Sequence, residues 1–352
     1  MASCPDPVEY CRRAQAVGSQ TLAQVIAAEA RAGMAPSLMV YDPHMSWAPR
    51  VAKAAGVPTA AFMSQSCTVD LIYGEAWAGR APLPMADGSA LRRSGAVSVD
   101  LGPEDLSPFV VSPELYPKYL DVSIRQFEGL NDAGDVLVNS FGDLEPQEAE
   151  YMESRWRAKT VGPKLPSFFL DGRLPANKAY GVNFFSSDTP CMTWLDRQPP
   201  CSVVVASYGT VYSLYAGELD ELGNGLCGSG KPFLWVVRSN EAQKISQELH
   251  GRTEALVAGV PMVAMPRSAD QPATAKYVES AWRIGVRIRT DEKGLVRREE
   301  VERCIRKVMD EEGKVEYRKN ATKWMKMAKD AMQEGGSSDK NIAEFAAKYL
   351  AS

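Results

Sequence analysis

Between Thr253 and Gln271 the chain reads TEALVAGVPMVAMPRSADQ. Three polar side chains mark this stretch: Glu254 near its start, and the adjacent Asp270 and Gln271 at its close. A carboxylate only accepts hydrogen bonds, and an amide offers both a donor and an acceptor. The pair Asp270–Gln271 can therefore make directional bonds to a polar ligand. Between them, after Gly259 and before Pro266, runs the short apolar segment VPMVAM. The pattern reads as a helix, a tight turn, a buried strand and a loop carrying Asp270 and Gln271 past the strand's carboxyl end. In open α/β sheets, ligands bind along that edge.

Other segments offer candidate chemistry with competing plain readings. SYGT, residues 207–210, follows the apolar run SVVVA. Gly209 allows close backbone approach, Thr210 supplies a hydroxyl, and a helix start after such a turn attracts phosphate. An ordinary strand–loop–helix turn accounts for the same residues. Asp42 closes the run LMVY and precedes Pro43. It can orient a catalytic histidine, as carboxylates do in triads, or simply initiate a turn, which is the commoner role of Asp-Pro. Histidine is the usual general base for a hydroxyl nucleophile near neutral pH. The chain has two, His44 and His250, and both read first as surface or packing residues. Gly223-Asn-Gly225-Leu-Cys-Gly228 matches the spacing of a dinucleotide loop, but it follows a helix and precedes a strand, the reverse of the required order. It reads as a helix end and turn.

These groups need elements to position them, and strand and helix patterns alternate along the chain. Helix is expected over 8–32, 46–55, 66–78, 113–130 and 145–156. Strands are expected at 37–42, 59–63 and 135–141. Residues 80–112, rich in Pro, Gly and Ser without a period, read as a long surface segment. Residues 162–190 shift composition and read as a linker. A second series follows: strand 202–210, helix near 215–227, strand 233–238, then the segment around Asp270, a helix over 271–282, a strand over 284–289 and helices to the end. Ser338 or Asp339 is expected to cap the last of these. Such alternation implies parallel strands joined by crossover helices. It fails once. From Ser239 to Arg252 the chain stays polar and enters the next helical stretch with no returning strand, although a parallel crossover requires one.

Composition narrows the class. At 352 residues with 45% hydrophobic and 24% charged residues, the chain can build two ordinary globular domains. A net charge of −4 argues against nucleic acid as a partner. No apolar run approaches a membrane span, and the first residues lack a signal-peptide core. Seven scattered cysteines, never spaced CxxC, argue against a disulfide framework or a zinc site and fit a cytoplasmic location. The Asn320-x-Thr triplet reads as an unused helix-surface site.

Four segments in order resemble plant family 1 UDP-glycosyltransferases. VYDPHMSWAPRVAKAAGVPTAAFMSQSC resembles the middle of that family's acceptor domain, and DVLVNSFGDLEPQEAEYM its last strand and helix. WLDRQPPCSVVVASYGT resembles the entry to the donor domain. GVPMVAMPRSADQPATAKYVESAWRIGVRI resembles the close of the donor signature and the strand beyond. The resemblance implies an α/β fold of GT-B type, two facing Rossmann-like domains with parallel sheets, here with both sheets incomplete. The implied layout is an acceptor domain over 1–161, a linker over 162–190, a UDP-sugar-binding domain over 191–335 and a C-terminal helix over 336–352. The implied reaction transfers glucose or another hexose from a UDP-sugar to a hydroxyl or carboxyl of a small hydrophobic metabolite. It proceeds with inversion, without metal or cofactor, in a monomer.

By the same resemblance, Asp42 partners the catalytic histidine, Thr210 contacts the diphosphate, Glu254 holds the ribose, and Asp270 and Gln271 bind the sugar. Gln65 and Ser66 fall where acceptor-pocket residues sit. Two departures accompany it. The family's catalytic histidine belongs to an opening strand and loop that this sequence does not contain, so Asp42 is expected to have lost its partner. The uracil platform and most of the phosphate grip should precede Thr253, where His250-Gly251-Arg252 stands instead. The sequence is thus expected to be truncated at its N-terminus, deleted internally near 239–252 and impaired or inactive. A non-catalytic binding or regulatory relative of full-length enzymes is the alternative. An unrelated α/β enzyme with His44 as its base is a third reading.

Overall fold

The computed structural model describes residues 7–165, 170, 189–207, 216–236 and 258–350. The chain divides into two compact units. One holds residues 1–164, 267–274 and 328–352, the other 165–266 and 275–327.

The first unit is built on a four-stranded sheet in the order β1 (Met39–Tyr41), β2 (Thr59–Met63), β3 (Asp135–Val138), β4 (Ala158–Thr160). Every pairing is parallel. Parallel strands need crossovers, and helices supply them: α2 (Ala48–Ala54) between β1 and β2, and α7 (Pro146–Trp156) between β3 and β4. α1 (Pro7–Arg31) packs beside α2. β2 is buried on both faces, with Ala60, Ala61 and Met63 at or below 1% exposure. That explains its unbroken apolar sequence. α3 (Cys67–Trp77) has buried residues all round, from Cys67 to Ala76, and therefore shows no amphipathic stripe.

Residues 80–112 depart from expectation. They are not a surface segment: Ala81, Met85, Leu91, Ala96, Val97, Leu101, Leu106, Phe109 and Val110 are all buried. The segment folds as short pieces, α4 (Ser89–Arg93), a 3-10 turn over Pro103–Asp105 and α5 (Pro108–Val111). Each is too short to show a period. α6 (Pro117–Arg125) follows. The strand β4, AKT, was not expected at all.

The second unit contains α8 (Thr189–Leu195) and two parallel strand pairs, β5 (Val204–Ala206) with β6 (Phe233–Trp235), and β7 (Met262–Ala264) with β8 (Gly285–Arg287). Between β5 and β6 lies α9 (Ala216–Gly228). All three glycines of the GxGxxG match sit inside this helix rather than in a turn. A Cβ on Gly225 would lie 2.6 Å from Val301 Cβ and 2.8 Å from the Arg298 carbonyl oxygen, so glycine there lets α9 press against α11 (Arg298–Met309). Their shared core joins Leu219, Leu222 and Leu226 to Val301, Ile305 and Val308. After β7 come α10 (Gln271–Lys276), which up to Thr274 is assigned to the first unit, and a π-helical turn, Tyr277–Ala281, then β8 and α11. α12 (Glu311–Met332) and α13 (Ser337–Leu350) close the chain.

α13 belongs to the first unit. Ser338 does not cap it. Its side chain is fully buried and donates to the Gly162 carbonyl at 2.7 Å. Asp339 instead accepts from the Gly335 N–H at 2.9 Å. Among the described residues, no helix is long and apolar enough to cross a membrane.

Candidate active site

The parallel register puts the carboxyl ends of β1, β2 and β3 on one edge, and the chain leaves each strand there with polar residues. After β1 comes Asp42-Pro43-His44-Met45, closed by a hydrogen bond from the Met45 N–H to the Asp42 carbonyl at 2.8 Å. Asp at the first and Pro at the second position are what such a turn favours, so the plain reading of Asp-Pro is correct as far as the backbone goes. The side chains add something else. Asp42 Oδ1 accepts from the His44 backbone N–H at 2.9 Å and lies 3.0 Å from His44 Nδ1. The hydrogen bond from the His44 side chain holds the Asp42 carboxyl below its ordinary range, with further help from the His44 backbone N–H and the Lys164 charge, against the effect of burial.

After β2 come Ser64, Gln65 and Ser66, and Ser66 stands at the N-cap position of α3 without a side-chain cap bond. The cap is supplied from 78 positions away. Buried Glu145 accepts from the Cys67 N–H and the Thr68 N–H at 3.0 Å each, and from the Thr68 hydroxyl at 2.7 Å. The first N–H groups of a helix have no internal partner, and a carboxylate there is favoured by the helix dipole. Burial still outweighs these bonds and raises the Glu145 pKa. Gln65 Oε1 is buried at this edge without a hydrogen-bond partner among the described residues. Behind it, Asp70 is fully buried, with neither oxygen hydrogen-bonded among the described residues. Burial first, then the charges of Glu145 and Asp42, push its pKa well up. After β3, Asn139 accepts from the Lys164 N–H at 2.7 Å and fixes the chain's exit from the unit. A cavity of about 600 Å³ lined by Lys53, Thr59, Glu128 and Gly134 lies at the opposite, amino ends of the strands, away from these residues.

The strand-to-helix turn after β7 carries Asp270 and Gln271. Ala269, immediately before them, has φ 56°, a left-handed conformation that non-glycine residues rarely adopt and that clusters at functional turns. Gln271 Oε1 accepts from the Arg267 N–H at 2.9 Å. Asp270's side chain is half-buried, and that burial raises its carboxyl pKa. The structure thus gathers Asp42, Gln65 and Ser66 on one sheet edge, and Asp270 with Gln271 on one turn. Thr210, Glu254 and His250 lie outside the described residues, as do the junction over 239–252 and most of the expected linker. The residue passed over was Glu145, whose side chain caps a helix 78 positions earlier in the chain.

Parallel strands joined by crossover helices define an α/β protein of the Rossmann-like kind, and the carboxyl ends of such strands are where its ligands bind. Comparison with known proteins gives the family. Residues 246–335 match the model of the family described as UDP-glucoronosyl and UDP-glucosyl transferase. UDP-glycosyltransferase 79 of Oryza sativa subsp. japonica is 56% identical over 386 residues, covering 99% of this chain and 83% of the rice protein. UDP-glucosyltransferase UGT13248 of Hordeum vulgare subsp. vulgare is also 56% identical, covering 99% and 81%. The crystal structure of Os79 from O. sativa in complex with UDP superposes with a TM-score of 0.94, covering 99% of this chain and 86% of that one.

The chain belongs to the UDP-glycosyltransferase family and has its GT-B type of α/β fold. The rice match extends over 386 residues although this chain has 352, so at least 34 positions of the relative face no residue here.

Proposed function

We propose that this chain carries the machinery to transfer a hexose, glucose in the first instance, from a UDP-sugar to a hydroxyl or carboxyl of a small hydrophobic metabolite. The observation that carries the reading is the Asp270–Gln271 turn, within a chain 56% identical to UDP-sugar enzymes over 99% of its length. On that turn a carboxylate and an amide stand side by side, suited to adjacent sugar hydroxyls that must both donate and accept. Glu254 takes the ribose hydroxyls and Thr210 the diphosphate. Gln65 and Ser66 face the acceptor. The acceptor oxygen attacks the sugar's anomeric carbon as UDP leaves from the opposite face, through an oxocarbenium-like state, and configuration inverts. Support for a small acceptor comes from the Os79 structure described in complex with trichothecene.

We place the positions missing relative to the rice protein at the junction near 239–252, where the strand–helix alternation breaks. The chain there should supply the uracil platform and most of the phosphate grip. Donor binding is therefore weak and turnover slow in this polypeptide, which works as a monomer in the cytoplasm. The test is a calorimetric titration with UDP and UDP-glucose, alongside product detection with a panel of phenols and alcohols. Weak UDP binding with UDP-glucose preferred over UDP, and loss of that preference in Asp270→Ala, is expected. No binding of either nucleotide at millimolar concentration refutes the reading. Turnover as fast as that of the rice or barley relatives refutes the impairment.

A further inference from the structure

We propose that the first unit holds a second binding site, at the amino ends of its strands, for a peptide-like zwitterion whose two charges lie several bonds apart. The cavity of about 600 Å³ there falls within the roughly 300–1,000 Å³ of small-ligand sites, and charges of both signs line it. From one side α2 presents Arg50 and Lys53, three positions apart and therefore neighbours on one helix face. From the other, the turn before β3 brings Glu128 and Asp132. Between these two the chain bends at Gly129, with φ 74°, a conformation that glycine adopts without strain. The Asp132 N–H closes the turn on the Gly129 carbonyl at 3.0 Å.

None of these four side chains makes an ion pair or a hydrogen bond among the described residues. Two cations and two carboxylates thus share one cavity without closing on one another. Main-chain groups that line it are already satisfied: the Gly134 N–H donates to the Thr59 carbonyl at 2.8 Å, and Lys348 Nζ donates to the Gly134 carbonyl at 3.0 Å. What remains for a ligand is the four charges, which sum to zero. A simple anion or cation is attracted by one pair and opposed by the other, whereas a ligand carrying both charges is attracted by both. An α-amino acid holds its ammonium and carboxylate on a single carbon, too close together for protein groups that do not reach one another. The ends of a short peptide are farther apart. Its carboxylate goes to Arg50 and Lys53, where a guanidinium can bind both oxygens, and its ammonium to Glu128 and Asp132. The site is separate from the carboxyl edge that carries Asp42, Gln65 and Ser66, and it does not depend on the transferase reading.

The test is a calorimetric titration of the full chain with triglycine at low ionic strength. Beside it run N-acetyl-triglycine, which keeps only the carboxylate, and triglycinamide, which keeps only the ammonium. Triglycine should bind saturably at one site, and each singly charged peptide about fivefold more weakly, the worth of one charge contact at a partly exposed site. Added salt should weaken the triglycine binding. In Arg50→Gln/Lys53→Gln the advantage of triglycine over triglycinamide should vanish, and in Glu128→Gln/Asp132→Asn its advantage over N-acetyl-triglycine. No saturable binding of triglycine, a singly charged peptide that binds the wild type as tightly, or an advantage that survives both double variants overturns the proposal. Should a variant fail to fold, amide chemical shifts of the wild type locate the bound triglycine. Perturbations centred on Gly129 and Gly134 support the site, and perturbations centred elsewhere overturn it.

Discussion

Glu145 holds the turn between β2 and α3 in place, and removing it should be measurable as lost stability. Its carboxylate answers three donors at the start of α3: two backbone N–H groups at 3.0 Å and the Thr68 hydroxyl at 2.7 Å. All lie out of water. In Glu145→Ala the two N–H groups lose their partner while staying buried, at about 1–3 kcal/mol each. Against this stands the relief of removing a carboxyl that burial already disfavours. The net expectation is a loss of about 3 kcal/mol. Glu145→Gln keeps one acceptor oxygen but turns an NH₂ toward a donor, for about 1–2 kcal/mol. Equilibrium urea unfolding should rank the proteins wild type, Gln, Ala. The pH dependence has a definite sign. The folded pKa is raised, so between the ordinary carboxylate value and the folded value the native state holds more protons than the unfolded state. Stability therefore falls as pH rises through that window, and Glu145→Gln should flatten the fall. Both variants within about 0.5 kcal/mol of the wild type, the range of an ordinary surface change, would refute the capping argument.

Four further outcomes follow from particular contacts. Asp70→Asn should also flatten the loss of stability above the carboxylate range, because the Asp70 pKa is raised well above its ordinary value; urea midpoints across pH decide it. Gly74→Ala would bring a Cβ to 2.5 Å from Trp156 Cη2 and 2.8 Å from Phe127 Cε1, and should lower stability by about 1–2 kcal/mol, overpacking outweighing better helix propensity. Ser338→Ala strips the buried donor from the Gly162 carbonyl and should cost about 1–2 kcal/mol in the same assay. Gly225→Leu should separate α9 from α11 and lower the melting temperature by several degrees, since Val301 already occupies the space a side chain would need.

The elements legible in the sequence were those whose burial is uniform or periodic. TAAFM marked β2 to the residue, and the apolar run after Gly259 marked β7. Residues 80–112 escaped because their buried positions come from turns and helices of three to five residues, where tertiary contacts rather than a repeat select the apolar side chains. β4 escaped because AKT has no strand signature and owes its place to pairing with β3. Gly223-Asn-Gly225 resembled a turn because glycine is a poor helix former, while the competing demand was close helix packing. At the site, Asp270 and Gln271 stood out through resemblance and position together. The Asp42–His44 bond was legible only in part: strand spacing would point both side chains to one face, while the intervening Pro43 pointed to a turn. Folding the turn brought the side chains together as well.

The outer edge of the first unit's sheet has a consequence for synthesis. α13 covers β4 at two points: Asn341 Nδ2 donates to the Thr160 carbonyl at 2.7 Å across 181 positions of sequence, and Lys159 Nζ donates to Glu344 at 2.6 Å. At translation rates of about 5–20 residues per second, roughly 10–40 s separate the emergence of that strand from the arrival of its cover. During that interval a growing chain exposes an open parallel edge, the feature that most readily recruits another strand. A ribosome-associated chaperone that shields this edge, or a neighbouring nascent chain that captures it, would decide how much of the protein reaches its finished form.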